Sequence, residues 1–450
     1  MSRKICVSLL LLAVVAFGGT TSAVVGANDN VPAATLLLPY FEVDLNDPTG
    51  VTTLFSVNNA SASSALAHVT VWTDMSVPIL DFDVYLTGYD VQSFNLRDIL
   101  VDGILPQTGF AISNNGDFSA PNIAFPGCNN TSVVGGGPVY GALPATVVGI
   151  IQDALTGAPL RAGQAAGLCA GVPYGDGIAR GYITVDSVSA CSTEFPSSPG
   201  YFVDGGVGTA NNDNVLWGDY FYVDVANAFA QGEALVHLEA DAITLSAFIP
   251  SCDITDFNPS TYYCRYVPGT PGADNREALP SMWASRYLQG GAFSGGTDLL
   301  VWRTSNDVES TFSCGAFPPF FLTQNQIVIF DEEENPITPN ELPSGPFGAP
   351  EEFPFPWETQ RVAVGEDFSV ADPFGWTYLN LNIDDQYHQA WVVSIMSANG
   401  LYSVGYDAIH LNNLNVGVGE SPPDAINEGS DNTCIGPNGD ADPCVLMMVM

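Results

Sequence analysis

Lysine is missing from all but the first few residues of this chain. Of its 450 residues only Lys4 is a lysine, and it stands beside Arg3 ahead of an apolar stretch, Ile5 to Phe17. That absence removes Schiff-base chemistry, the S-x-x-K nucleophile and the phosphate-gripping P-loop from everything downstream. G-x-S-x-G, H-E-x-x-H and C-x-x-C are absent too, which excludes the nucleophile elbow, the zincin helix and the usual zinc-ribbon spacing. Histidine is scarce, with only His68, His237, His388 and His410, none at ligand spacing. Gly206-Val207-Gly208 begins like a dinucleotide loop, but Asn211 stands where the third glycine belongs. Neither Ile5–Phe17 nor the apolar tail Val445–Met450 reaches the ~20 residues of a membrane-spanning helix.

What stands at the front reads as a signal peptide over 1–27. Arg3 and Lys4 are its positive start, Ile5–Phe17 its apolar centre, and Thr21-Ser22-Ala23 or Val25-Gly26-Ala27 its cleavage site. The expected mature protein is secreted or periplasmic and carries no transmembrane anchor. Cleavage takes the ten basic residues to eight against 49 acidic ones, a formal charge of −41. Such a field repels nucleic acid and anionic membranes and attracts cations. Charged residues are only 13% of the chain and hydrophobic ones 46%, so the acidity belongs to a folded protein.

Eight cysteines survive cleavage: Cys128, Cys169, Cys191, Cys252, Cys264, Cys314, Cys434 and Cys444. In an oxidising compartment an even set implies disulfides. Spacing suggests Cys252 with Cys264 and Cys434 with Cys444, leaving the other four for longer-range bridges.

Period-two alternation dominates, as in Leu66–Trp72, with Ala67, Val69 and Val71 on one face and Leu66, His68, Thr70 and Trp72 on the other. Similar runs recur to Leu411, punctuated by Gly, Pro, Asn and Asp. Helical patterning is confined to Ala145–Leu155 and a short piece at Val225–Ala230. Parts of the chain repeat. Ile79–Asp83 resembles Ile327–Asp331, Gly181-Tyr182 resembles Gly375-Trp376, and Val236-His237-Leu238 resembles Ile409-His410-Leu411, with Trp217 and Trp391 at similar distances ahead. The expected fold is therefore mainly β: two tandem, duplicated antiparallel β-sandwich (Ig-like) domains. The first spans 28–250, with a Gly/Asn-rich, partly helical insertion at about 101–179. A disulfide-bearing linker over 251–278 precedes the second sandwich, 279–415, and 416–450 is a loop-rich disulfide tail.

No catalytic set emerges. His68, His237 and His410 lie within alternating strands and are expected at solvent-facing or sheet-edge positions; His388 lies in a turn beside Asp384 and Asp385. Asp331-Glu332-Glu333-Glu334 is expected as a solvated turn after a strand. Asn438, Asp440 and Asp442 alternate their oxygens as in the first half of a calcium loop, making Ca2+ the one cofactor considered, although Pro443 replaces the expected glycine and no Glu follows. Trp72, Trp357 and Trp376 could stack on sugars, and Phe353–Trp357 could line a groove. The expected role is non-catalytic: extracellular binding or structural assembly, with polysaccharide or protein as partner. The alternative is a secreted glycoside hydrolase working through paired carboxylates, which a sequence with 49 acids cannot single out.

Overall fold

The computed structural model describes residues 31–105, 143–240 (except 164, 197, 199 and 204), 276, 279–304 (except 292), 311–316, 326–337, 355, 357–365, 370, 372–381, 389–398, 401, 403–411, 434–435 and 441–442. The chain is mainly β, with several antiparallel sheets. Its strands are β1 Thr35–Asp44, β2 Thr52–Asn59, β3 Ala65–Thr73, β4 Pro78–Leu86, β5 Val91–Asn95, β6 Leu168–Cys169, β7 Ile178–Ser187, β8 Leu216–Trp217, β9 Asp219–Asp224, β10 Phe229–Ala234 and β11 Val236–Leu238. There follow β12 Met282–Leu288, β13 Gly296–Arg303, β14 Phe312–Ser313, β15 Gln326–Asp331, β16 Pro336–Ile337, β17 Thr359–Val364, β18 Phe374–Asn380, β19 Ala390–Ser397, β20 Ser403–Asp407, β21 Ile409–His410, β22 Cys434–Ile435 and β23 Ala441–Asp442.

Four sheets carry the fold. In the first part of the chain they run β11-β1-β7-β3-β4 and β10-β9-β2-β5, with β8 also on β2; in the second they run β21-β12-β18-β15-β16 and β20-β19-β13-β17. Inward side chains such as Leu36, Phe55, Val69 and Ile183 in the first part, and Trp283, Leu299 and Val301 in the second, join one continuous hydrophobic core. Its burial is the main stabilising term.

Ala145–Leu155 is helical, as its apolar face predicts, and Val148, Ile151 and Leu155 bury into that core. A second short helix, Leu96–Leu100, begins where the Asn95 side chain accepts the Arg97 N–H. Val225–Ala230 is not helical. Asp224 Oδ1 accepts the Asn227 N–H, Ala228 takes φ +49°, and the chain turns straight from β9 into β10. The hairpin register thus overrides a weak helical pattern.

The second part packs on the outer face of the β1-β7-β3 sheet. There the Trp72 and Tyr182 rings stack 5.5 Å apart, and the edge of Trp302 from β13 meets Tyr182 at 5.9 Å. Thr359 Oγ1 donates to Pro39 O, the Ser76 hydroxyl donates to Glu358, and Arg361 pairs with Glu42 at 2.9 Å. This contact explains a departure from the alternation reading: both faces of β3 are buried, not one. Alternation tells which residues share a face, but not what covers it. A disulfide adds a covalent tie, joining Cys169 on β6 to Cys314 next to β14 across 145 residues. Cys191 is disulfide-bonded as well. Among the described residues no helix is long and apolar enough to cross a membrane.

Candidate functional site

Polar groups that look catalytic are concentrated in the interior. Thr35, Asp186, His68 and Asp83 face one another in register across four adjacent strands, β1, β7, β3 and β4. His68 is therefore on a central strand and fully buried, contrary to the expected solvent or edge position. Its Nδ1 lies 2.9 Å from Asp83 Oδ1. Burial works to lower the His68 pKa, but Asp83, then Asp81 and Asp186, outweigh it and raise the value to about 9. The ring is thus an imidazolium in a buried ion pair, a poor general base at neutral pH. Asp186 accepts from Thr35 and, at 2.9 Å, from the Tyr201 hydroxyl; burial raises its pKa.

His237 and His410 do lie on edge strands, β11 and β21, opposite Leu36 and Trp283. Burial lowers both pKa values, and His237 Nε2 accepts the Gly218 N–H. His388 lies outside the described residues.

A second polar group fills the junction. Ser76, at φ +52°, donates to Glu358 and shares a hydrogen bond of 2.7 Å with the Tyr182 hydroxyl. Burial pushes the neighbouring Asp74 carboxyl up to about 8 and Arg303 down to about 9, the latter opposed by Glu358. A strained serine beside a carboxylate resembles an activated nucleophile, but the strain has another cause. The hairpin after β3 and the one after β15 are built alike. Thr73 N donates to Val77 O and Ser76 N to Thr73 O; Asp331 N donates to Asn335 O and Glu334 N to Asp331 O. Glu334, exposed, takes φ +65°. The left-handed residue belongs to the turn, not to a reaction.

The acidic run behaves as the expected exposed turn after a strand. Asp331 Oδ1 accepts the N–H groups of Glu333 and Asn335, each at 2.8 Å, and hydrogen bonds to Asn335 foremost hold its pKa low. Among the described residues no group of three or more His, Cys, Asp or Glu is arranged to hold a metal ion. Asn438, Asp440, Cys252, Cys264 and Cys444 lie outside the described residues; Cys434 and Asp442 face each other in β22 and β23, where only the backbone is described. A recess lined by Ser61, Ser63, Ser187, Ser189, Asn211 and Asp213 carries one carboxylate and no aromatic ring.

Exposed chemistry is of another kind: open sheet faces bearing rings. On the outer face of β10-β9-β2-β5, Trp217 is 41% and Phe221 45% exposed, with Val91 beside them. The Phe221 ring lies over Gly232 of the next strand, where a Cβ would come within 2.2 Å of it. On the outer face of the β12-β18-β15 sheet, Trp376, Phe330 and Tyr378 are half-buried. Arg286 stacks over Trp376 at 4.6 Å, and Phe330 meets Tyr378 edge-on at 5.5 Å. Of the rings expected to be available, Trp72 and Trp357 are buried and Trp376 is on the surface. Phe355 is buried too, so it lines no groove. Trp217 and Phe221 were not singled out as surface rings; the signal was their i, i+4 spacing, which puts both on one face of the consecutive strands β8 and β9.

Comparison with protein-family models, curated proteins and solved structures found no match.

Proposed function

We propose that this chain is an exported, non-catalytic structural or assembly protein made of two duplicated Ig-like sandwich units, and that it works through its open sheet faces. The observation that carries this reading is the partition of side chains. The His68–Asp83 and Ser76–Glu358 groups are closed inside the molecule, whereas Trp217 and Phe221 stand exposed on one sheet and Phe330, Trp376 and Tyr378 half-buried on another. Interaction surfaces of proteins are enriched in such rings.

Duplication is supported by strand order and by register. Taken in chain order, β1, β2, β3, β4, β5, β7, β9, β10 and β11 occupy the same sheet positions as β12, β13, β15, β16, β17, β18, β19, β20 and β21. Thr53 Oγ1 accepts Glu42 N and donates to Glu42 O, and Thr297 Oγ1 does the same with Leu288. Gly181 and Gly375 each sit where a Cβ would lie 2.0 Å from a carbonyl of the adjacent strand, Trp72 O and Phe330 O. On this reading His237 corresponds to His410 and Trp217 to Trp391. On the same reading Ile327–Asp331 corresponds to Val69–Thr73 rather than to the Ile79–Asp83 of the sequence comparison.

The test is a panel of polysaccharides incubated with the exported protein, with and without calcium. We expect no release of reducing ends. Release that disappears when one carboxylate pair is mutated would establish the hydrolase instead.

A further inference from the structure

The units are equivalent, but their outer faces are not equally covered. On the first unit's β7-β3 face, Trp72, Tyr182 and Thr184 are buried, as are Val236 and Leu238 on β11. Register makes their counterparts Phe330, Trp376, Tyr378, Ile409 and Leu411. The three rings are half-buried, Ile409 is 57% exposed and Leu411 43% exposed. The reverse holds on the other sheet. Trp391 and Ile395 are buried in the second unit, while their counterparts Trp217 and Phe221 are open in the first. Each end of the molecule therefore presents apolar side chains at positions that are buried in the other unit.

Inside the chain these two kinds of face meet: Trp302 of the second unit's β13 contacts Tyr182 of the first unit's β7. We propose that the same contact is made between copies, the open β10-β9-β2-β5 face of one chain seating on the open β12-β18-β15 face of another. The occupant of each face is a second copy of this chain, joined head to tail. This rests on the assembly reading above. Because the contact joins two different surfaces, it leaves one of each free and propagates instead of closing as a symmetric dimer.

The contact between copies is the weaker of the two. The internal ion pair Arg361–Glu42 has Ser93 and Leu288 at the equivalent positions. Equivalence puts Asn58 where Trp302 stands. Association is therefore reversible, and strongest at high ionic strength, where repulsion between acidic copies is screened.

Sedimentation velocity over a concentration series in high salt tests this on the full exported chain. Two variants at exposed positions, Phe221→Asp on one face and Ile409→Asp on the other, are compared after circular dichroism has verified that both are folded. Wild type should grow past dimer with concentration, and each variant should associate at least ten-fold more weakly. An equimolar mixture of the two variants should form dimer and stop, because each supplies the face the other lacks. A wild type that stays monomeric, a mixture that stays monomeric, or a single variant that still grows overturns head-to-tail joining. None of those results bears on the non-catalytic reading, which the hydrolysis panel decides separately.

Discussion

Replacing His68 with glutamine should flatten the dependence of stability on pH between about pH 6.5 and pH 9. The wild-type imidazolium is fully buried and faces Asp83 at 2.9 Å, with Asp81 and Asp186 on neighbouring strands and the Tyr201 ring tilted against it at 5.7 Å. Its pKa is raised from 6.5 to about 9. A raised value means that the fold favours the charged form. The stabilisation is therefore complete below the unfolded pKa and is lost as pH climbs through the folded one. At about 1.4 kcal/mol per pH unit of difference, the loss across that window is roughly 3 kcal/mol. The group needs no discount for solvent screening, since its side chain has no exposed surface.

Urea unfolding from about pH 6 to about pH 10 measures it, urea being chosen because, unlike guanidinium chloride, it leaves the ionic strength and so the surface repulsion of this acidic chain unchanged. Asp74 titrates in the same window, since burial pushes it up to about 8, but it does so in both proteins. The difference between wild type and His68→Gln isolates the histidine. That difference should be largest at the acid end and shrink by roughly 3 kcal/mol towards the alkaline end. Parallel profiles would mean a neutral His68 and would refute the ion-pair account of the buried row.

Asp74→Asn should stabilise the protein at neutral pH and above. With its pKa raised in the fold, Asp74 contributes stability at low pH that is lost as pH rises towards 8, so the variant should gain by roughly 4 kcal/mol near pH 7 and match wild type near pH 4. Removing the Cys169–Cys314 bridge by double serine substitution should cost roughly 4–5 kcal/mol in thermal or urea unfolding, given the long loop it closes. Mass mapping of the same unreduced protein should recover Cys252–Cys264 and Cys434–Cys444. Gly375→Ala and Gly181→Ala should each cost more than about 2 kcal/mol, since either Cβ would meet a strand carbonyl at 2.0 Å; near-wild-type melting of one alone would break their equivalence. Sodium chloride should raise the melting temperature by screening the net negative charge, and ionic-strength-matched calcium should add nothing more; a calcium-specific rise would point to Asn438, Asp440 and Asp442.

Much of the strand layout was legible because period-two alternation is local. The alternating run Leu66–Trp72 lies within β3. The helix Ala145–Leu155 was legible for the same reason, its apolar face repeating with the helical period after Pro144. What local pattern could not supply was partnership. Ile79–Asp83 resembles Ile327–Asp331 residue by residue, yet β4 is an edge strand and β15 lies inside its sheet. Two alternating runs resemble each other whatever their place, whereas Gly181 and Gly375 are each pinned by the same close backbone approach. His68 was misread as surface because its cover comes from elements distant in sequence. The candidate faces were hidden for the same reason: Trp217 and Trp391 correspond under the proposed duplication, yet one is exposed and the other buried.

Under the proposed duplication, that pair separates backbone requirement from side-chain use. Where the units agree in conformation but differ in residue, the fold sets the conformation and the surroundings set the residue. The left-handed turn residue is Ser76 in the hairpin after β3, buried against Glu358, and Glu334 in the hairpin after β15, exposed. Glu334 makes no such contact among the described residues, so the contact is not what imposes the backbone strain. The junction has recruited a residue already held there by the hairpin. Trp217 presents the converse case. Its equivalent Trp391 is 4% exposed and meets Trp283 edge-on at 5.1 Å, so a ring at this position can be buried within the repeat. The first unit keeps the ring and leaves it 41% exposed, with Phe221 exposed four residues on. Exposing two such rings on one face forgoes several kcal/mol of burial that the same scaffold achieves elsewhere. A covering partner recovers that term, which is the physical ground for seeking the function of this protein at its two open sheets.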